Sequence, residues 1–292
     1  VLAISAAMVK DLRERTGLGM MDCKRALQDA DGDIEKAIEE LRKSSSLKAA
    51  KKAGRTAANG LLGVMVSEDC SRGAIVEVNI ETDFAAKNEK FIDFVSKVTE
   101  TVFEASKSGG VEEAPTELEA LRESLIQEIG ENIMIRRIKT INSKNSGLGY
   151  YIHGDQRRGA LVELTGPNTE LAKDLAMHIV ATAPMVVRPE DLPQEVLDKE
   201  REIYVSQAEE SGKPADIVEK MVEGRIRKYV AEVSLLEQDF VKDPDKKVKD
   251  LLKSAEVDLV SFVRFEVGEG VEIKEEDFAS EVAAQIAASD QD

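Results

Sequence analysis

GAIVEVNIETDFAAKNEKF, residues 73–91, is the stretch from which the rest of the chain can be read. Ala74 to Ile80 carries apolar side chains at period two, the spacing of a β-strand. That spacing stops at Glu81, and a helical pattern begins with Phe91, Phe94, Val95, Val98 and Val102. Residues 81–91 therefore form a strand-to-helix junction, a surface position where rigid flanking elements hold binding groups. Phe84, beside Asp83, fits two roles there. It is a candidate anchor for a partner's pocket. It also lies seven residues before Phe91, so in a helix that starts early it would share the buried face. On spacing alone the core role is the stronger.

Outward from this stretch, Leu61 to Val66, a polar turn at Ser67 to Gly73, and Ala74 to Ile80 read as a hairpin. Helical patterns follow over about 88–105 and 116–130, and a strand over 133–141 completes an α+β unit. The unit then repeats, since Gly73-Ala74-Ile75-Val76-Glu77-Val78 returns as Gly159-Ala160-Leu161-Val162-Glu163-Leu164. A duplicated subdomain explains this most economically. Its hairpin opens at 147–153, its helix spans about 169–183, and its last strand, 259–267, is displaced far downstream. Something must be inserted between that helix and that strand. The insert, 189–229, holds helical patterns over 193–210 and 214–229 joined at Ser211-Gly212-Lys213, which predicts an antiparallel helical hairpin. With ~17 residues per arm it would project roughly 25 Å. It either offers a dimer handle or satisfies both apolar stripes within its own seam.

Before the first unit, Ser5 and Asp33 can cap helices and Gly17 and Gly32 can end them. Three short helices joined by tight turns follow, with Met8, Val9 and Leu12 on one face of the first. Met20 and Met21 sit at the first turn, and adjacent helical residues cannot both point inward, so one thioether is left for contact. Ser44 to Gly54 reads as a solvated linker. After Gly268-Glu269-Gly270 a last helix is expected over 275–288, with Phe278, Val282 and Ile286 forming one apolar stripe.

The expected class is thus α+β with antiparallel sheets. Residues 1–54 form an N-terminal three-helix domain and linker, 55–143 a first core subdomain, and 144–188 with 230–267 a second. Residues 189–229 form the inserted hairpin and 268–292 a C-terminal helical module.

A net charge of −17 over 292 residues places the chain poorly for holding phosphate backbones, so no direct nucleic-acid contact is expected. The sign is uneven: residues 1–60 carry 12 basic and 9 acidic side chains, whereas 266–292 carry 1 basic and 9 acidic. Cys23 and Cys70 form no disulfide framework or zinc spacing, which fits a reducing cytoplasm. No signal pattern and no long apolar run supports secretion or a membrane span. Val1 in place of methionine points to a processed or artificial end. No P-loop, GxGxxG or HExxH pattern is present, so neither a bound nucleotide cofactor nor a metal is expected, and an enzyme is the weakest class. Of the two histidines, His178 reads as structural and His153, at a hairpin turn, as a contact residue.

Four blocks, RERTGLGMMDCKRAL (13–27), TDFAAKNEKF (82–91), HGDQRRGALVEL (153–164) and RFEVGEGVE (264–272), fall in order across nearly the whole chain. Together they resemble the bacterial elongation factor Ts family. The resemblance implies a nucleotide exchange factor for the GTPase elongation factor Tu, with Thr82, Asp83 and Phe84 as the wedge that releases nucleotide. It implies that the N-terminal domain, resembling a ubiquitin-associated fold, meets the GTPase through the region of Leu12, Met20 and Met21. It further implies contacts from His153, Gly154 and Phe278, and a homodimer or dimer of heterodimers through the hairpin. The chain departs from the family pattern at Ala85, where valine is usual, and at Asp239, where proline is usual. The competing reading is an interaction scaffold or holdase that leaves nucleotide release unchanged.

Overall fold

A computed structural model of the chain describes residues 4–209 and 214–272. It opens on α1 (Ala6–Thr16), α2 (Met20–Asp29) and α3 (Ile34–Lys52). The Ser5 hydroxyl accepts the Met8 N–H at 3.2 Å, the Asp33 carboxylate accepts the Lys36 N–H at 3.0 Å, and Gly17 ends α1 at a φ of 71°. These are the ordinary means of satisfying helix ends. Leu12, Leu18, Cys23, Leu27, Ala37 and Leu41 form the core between the three helices.

Two expectations are corrected here. Leu12 is fully buried in that core, so its side chain holds the bundle together and offers no surface to a partner. The supposed linker at Ser44 is helix as far as Lys52. Its Leu-Lys-Ala-Ala-Lys-Lys run has high helix propensity, and the serines do not break the helix because their hydroxyls find partners. Ser45 donates to the Leu41 carbonyl at 3.0 Å and to Gln127 at 2.6 Å, and Ser46 donates to Glu123 at 2.5 Å. Ala49 is buried in the next core along the chain.

That core belongs to an antiparallel sheet of β1 (Asn59–Val66), β2 (Arg72–Ile80) and, after three helices, β3 (Ile133–Asn142), in the order β1-β2-β3. The intervening helices are α4 (Asp83–Ala86), α5 (Glu89–Ala105) and α6 (Glu117–Ile129). Ala74, Val76, Val78 and Ile80 of β2 pack with Phe91, Phe94, Val95 and Val98 of α5. Gly60 faces Asn79 at a φ of 144°, where a Cβ would lie 2.1 Å from the Val78 carbonyl oxygen, so only glycine lets β1 approach.

A second antiparallel sheet has the order β4-β5-β8. It uses β4 (Leu148–Ile152) and β5 (Arg158–Leu164), followed by α7 (Thr169–Thr182). Ala160, Val162 and Leu164 pack on Leu175, Ala176 and Ile179 of α7. The displaced stretch is then α8 (Gln194–Glu209), α9 (Ala215–Val233), β6 (Asp239–Phe240), β7 (Asp243–Lys247), α10 (Val248–Ser254) and β8 (Leu259–Glu266). The repeat expected from GAIVEV and GALVEL is therefore the same order of strand, strand, helix and strand in both sheets. Opposite faces of the two central strands meet each other. Leu62 and Ile75 from the first sheet pack with Leu161 and Phe265 from the second, with helices on the outer faces.

The short β6–β7 hairpin and α10 were not anticipated. Their stretch, VKDPDKKVKD, has too few apolar residues to show a period, yet Phe240, Val248 and Leu252 are enough to pin it to α7. The last expected helix, with Phe278, lies outside the described residues. Among the described residues no helix is long and apolar enough to cross a membrane.

Candidate partner-binding site

The junction at residues 81–91 folds as a single helical turn, α4, between β2 and α5. Thr82 is its N-cap, accepting the Ala85 N–H through Oγ at 3.2 Å, and Asn88 caps α5 by accepting the Lys90 N–H at 2.9 Å. The two caps fix the rotation of the turn between them. Ala86 is buried and Ala85 packs partly into the first-sheet core, so the same turn must point Asp83 and Phe84 outward. Phe84 is 82% exposed, and the core role is thereby excluded. Heptad spacing to Phe91 misled because α4 and α5 are separate helices interrupted at Lys87 and Asn88, so no common face carries over.

Lys87 completes the tip. Its ammonium lies 3.0 Å from the Asp83 carboxylate and 5.6 Å from the centre of the Phe84 ring. The Lys87 hydrogen bond holds the Asp83 carboxyl below the usual aspartate range. Below the tip, Glu131 receives Thr82 twice: the backbone N–H at 2.9 Å and the hydroxyl at 2.8 Å. The neighbouring residues make the reverse contact, Glu81 accepting the Asn132 N–H at 2.6 Å. Lys87 was within reach of sequence reasoning as the i+4 partner of Asp83. Glu131 was not, because 49 residues separate it from Thr82.

The other expected contacts sit on other elements. Met20 and Met21 are 60% and 66% exposed, so both thioethers face outward, not one. They line a cleft of about 560 Å³ with Ile4, Val9, Lys10 and Arg13 between α1 and α2. Flexible thioethers with a basic rim suit a partner surface that is apolar with acidic edges. His153 is half-buried at the β4–β5 turn, its Nδ1 3.1 Å from Asp155 Oδ1. The Arg157 N–H, then the His153 ring, hold the Asp155 carboxyl below its ordinary value. A Cβ on Gly154 would meet nothing within 4 Å, so the turn is open on that side. His178 is fully buried. Its Nδ1 accepts the Val241 N–H at 3.1 Å, which leaves Nε2 as the protonated nitrogen, 2.9 Å from Gln238. It serves the structure, as read. Among the described residues no group of three His, Cys, Asp or Glu side chains is placed to hold a metal ion.

The comparisons cover most of the chain. A family model described as elongation factor TS matches residues 81–269, which begins at the junction and ends just after β8. Elongation factor Ts of Hahella chejuensis is 57% identical over 97% of this chain and 99% of its own length. Those of Marinobacter nauticus and Teredinibacter turnerae are 56% and 54% identical over at least 97% of each chain. At that identity over that length, with the 81–91 junction inside the region that the family model matches, the chain belongs to the elongation factor Ts family.

Proposed function

We propose that the chain is a guanine nucleotide exchange factor that binds elongation factor Tu and speeds GDP release during translation elongation, with Asp83 and Phe84 as the displacing element. The observation that carries this reading is a phenylalanine left almost wholly in water at the end of a capped, anchored turn. A large apolar side chain held outward by a rigid base is what a partner's pocket can use. GTPases hold nucleotide through backbone amides, a lysine and a magnesium ion. The ring acts by entering between partner elements and moving those that hold magnesium and phosphate, while the chain itself makes and breaks no covalent bond.

Burial of one phenylalanine is worth roughly 1.5–3 kcal/mol, about ten- to a hundredfold in rate if all of it is expressed in the transition state. Larger accelerations need further anchors to hold the tip in place. The Met20–Met21 cleft and the His153–Gly154 turn supply them, with the segment bearing Phe278 as a third. Linkage requires that a factor which weakens nucleotide binding be weakened equally by nucleotide, so the complex is tightest with the empty GTPase. The α8–α9 arms keep Ile203 and Ile217 exposed, which supports self-association there, as a homodimer or as a dimer of factor–GTPase pairs. The setting of the reaction is cytoplasmic. Titrating the chain into elongation factor Tu loaded with fluorescent GDP tests the reading: an exchanger accelerates release in proportion to its bound fraction, and a scaffold or holdase does not.

A further inference from the structure

We infer that Glu131 is the positioning residue for the Asp83–Phe84 tip, and this rests on the proposed role of Phe84. A helix of four residues has no stability of its own, because nucleation fixes several residues for very few hydrogen bonds. Its direction must come from outside it. On the α5 side the turn is tied by the buried Ala86. On the β2 side the tie is the Glu131 carboxylate, which takes both the N–H and the hydroxyl of Thr82, the cap residue immediately before Asp83. Two hydrogen bonds from one residue to one carboxylate fix its rotation as well as its place, and bonds to a charged acceptor are the strong ones. With the Thr82 hydroxyl donating to Glu131, its oxygen lone pairs are aimed at the Ala85 N–H, so the carboxylate also sets the geometry of the cap.

Glu131 itself does not drift. It follows Gly130, which ends α6 at a φ of 87° with its N–H on the Ile126 carbonyl, and it precedes the buried Asn132 and Ile133. The Lys52 ammonium at the end of α3 holds the Gly130 carbonyl, and Arg55 lies 3.6 Å from Glu81. The end of the N-terminal bundle's last helix is therefore one peptide away from the residue that sets the tip. Glu131 is half-buried beneath the turn and bonds to the cap, so it acts through Phe84 without needing to touch the partner.

The test measures release of fluorescent GDP from elongation factor Tu by the full chain carrying Glu131→Ala, Glu131→Gln, Phe84→Ala, or Glu131→Ala with Phe84→Ala. The denaturation midpoint is taken for each. The inference predicts that Glu131→Ala slows release at saturating factor by about three- to tenfold while binding to empty GTPase changes by less than about twofold. Glu131→Gln, whose single amide oxygen can accept one of the two Thr82 bonds while its NH2 can only donate, restores part of the rate, and adding Glu131→Ala to Phe84→Ala slows release no further. Equal slowing by Glu131→Ala with and without Phe84, or wild-type release by Glu131→Ala, would overturn it. If Phe84→Ala itself releases GDP at the wild-type rate, the role of Phe84 has failed and this inference with it. That result is distinct from one in which Phe84 matters and Glu131 does not.

Discussion

Glu77 is a carboxylate closed off from water in the middle of β2. In the alternating run of β2 it takes the place of a solvent-facing polar residue, yet its side chain is fully buried. The reason is that β2 is covered on both faces, by α5 on one side and by the second sheet on the other, whereas an antiparallel strand more often keeps one face in water. The carboxylate is satisfied by Arg136 at 3.2 Å, by Arg137, and by the Gly268 N–H at 2.9 Å, which ties the first sheet to the turn after β8. Removing one partner of a buried charge cluster leaves the others uncompensated. Glu77→Ala should therefore destabilise the fold by about 3 kcal/mol, the lower part of the range for buried pairs because both arginines keep some contact with water. Urea denaturation reads this directly, and a loss under about 1 kcal/mol would show that the cluster is not what joins the sheets. His178 makes a second residue-level prediction. Burial pushes its pKa below the ordinary 6.5, so the unfolded chain binds the proton first. Stability should be full above pH 6.5 and fall as the pH drops from there toward the lowered folded value, by at most about 1.4 kcal/mol per pH unit. The fall should vanish in His178→Asn. A pH-independent midpoint between pH 7.5 and 5.5 in the unsubstituted chain would contradict the buried neutral ring.

Among the elements, those with a long apolar period were legible and those held by distant partners were not. The strands of both sheets and helices α5, α6 and α7 fall within a residue or two of where their periods place them, because each buries one continuous stripe. The second half of α3 was hidden, since a serine triplet and a lysine-rich run look like linker until Gln127, Glu123 and Gly130 are seen to receive them. The β6–β7 hairpin was hidden because its burial rests on single side chains. At the candidate site the tip was legible as a surface junction; its outward Phe84 was not legible from spacing, since the interruption at Lys87 and Asn88 breaks a period that otherwise reads as core, and only the family resemblance pointed to an exposed ring. The structure of α3 changes what a truncation should do. Removing residues 1–32 takes away the Met20–Met21 cleft but leaves α3 on α6, whereas removing 1–54 also strips Ala49 from the first-sheet core and uncovers α6. Both truncations should exchange poorly. Only the longer one should lose core stability, by roughly 2 kcal/mol for the apolar surface it exposes. Equal denaturation midpoints for the two would mean that the end of α3 is connector after all.

For the whole molecule, the fold sets two sheets back to back, with the bundle on α6, the helical hairpin carried by the second sheet, and the exposed Asp83–Phe84 tip carried by the first. Division of labour follows from that placement. Deleting the hairpin between Pro189 and Tyr229 should alter self-association, read by sedimentation at matched concentration, far more than it alters GDP release. Unchanged mass with lost exchange would reverse those roles. The central claim is that an exposed side chain on a rigid turn does the displacing, and the Phe84→Ala chain tests it most directly when stability and GDP release are measured on one preparation. The account predicts a denaturation free energy within about 1 kcal/mol of the unsubstituted chain, as surface changes usually give, together with release from elongation factor Tu slowed about ten- to a hundredfold. A stable Phe84→Ala chain that releases GDP at the full rate would contradict it.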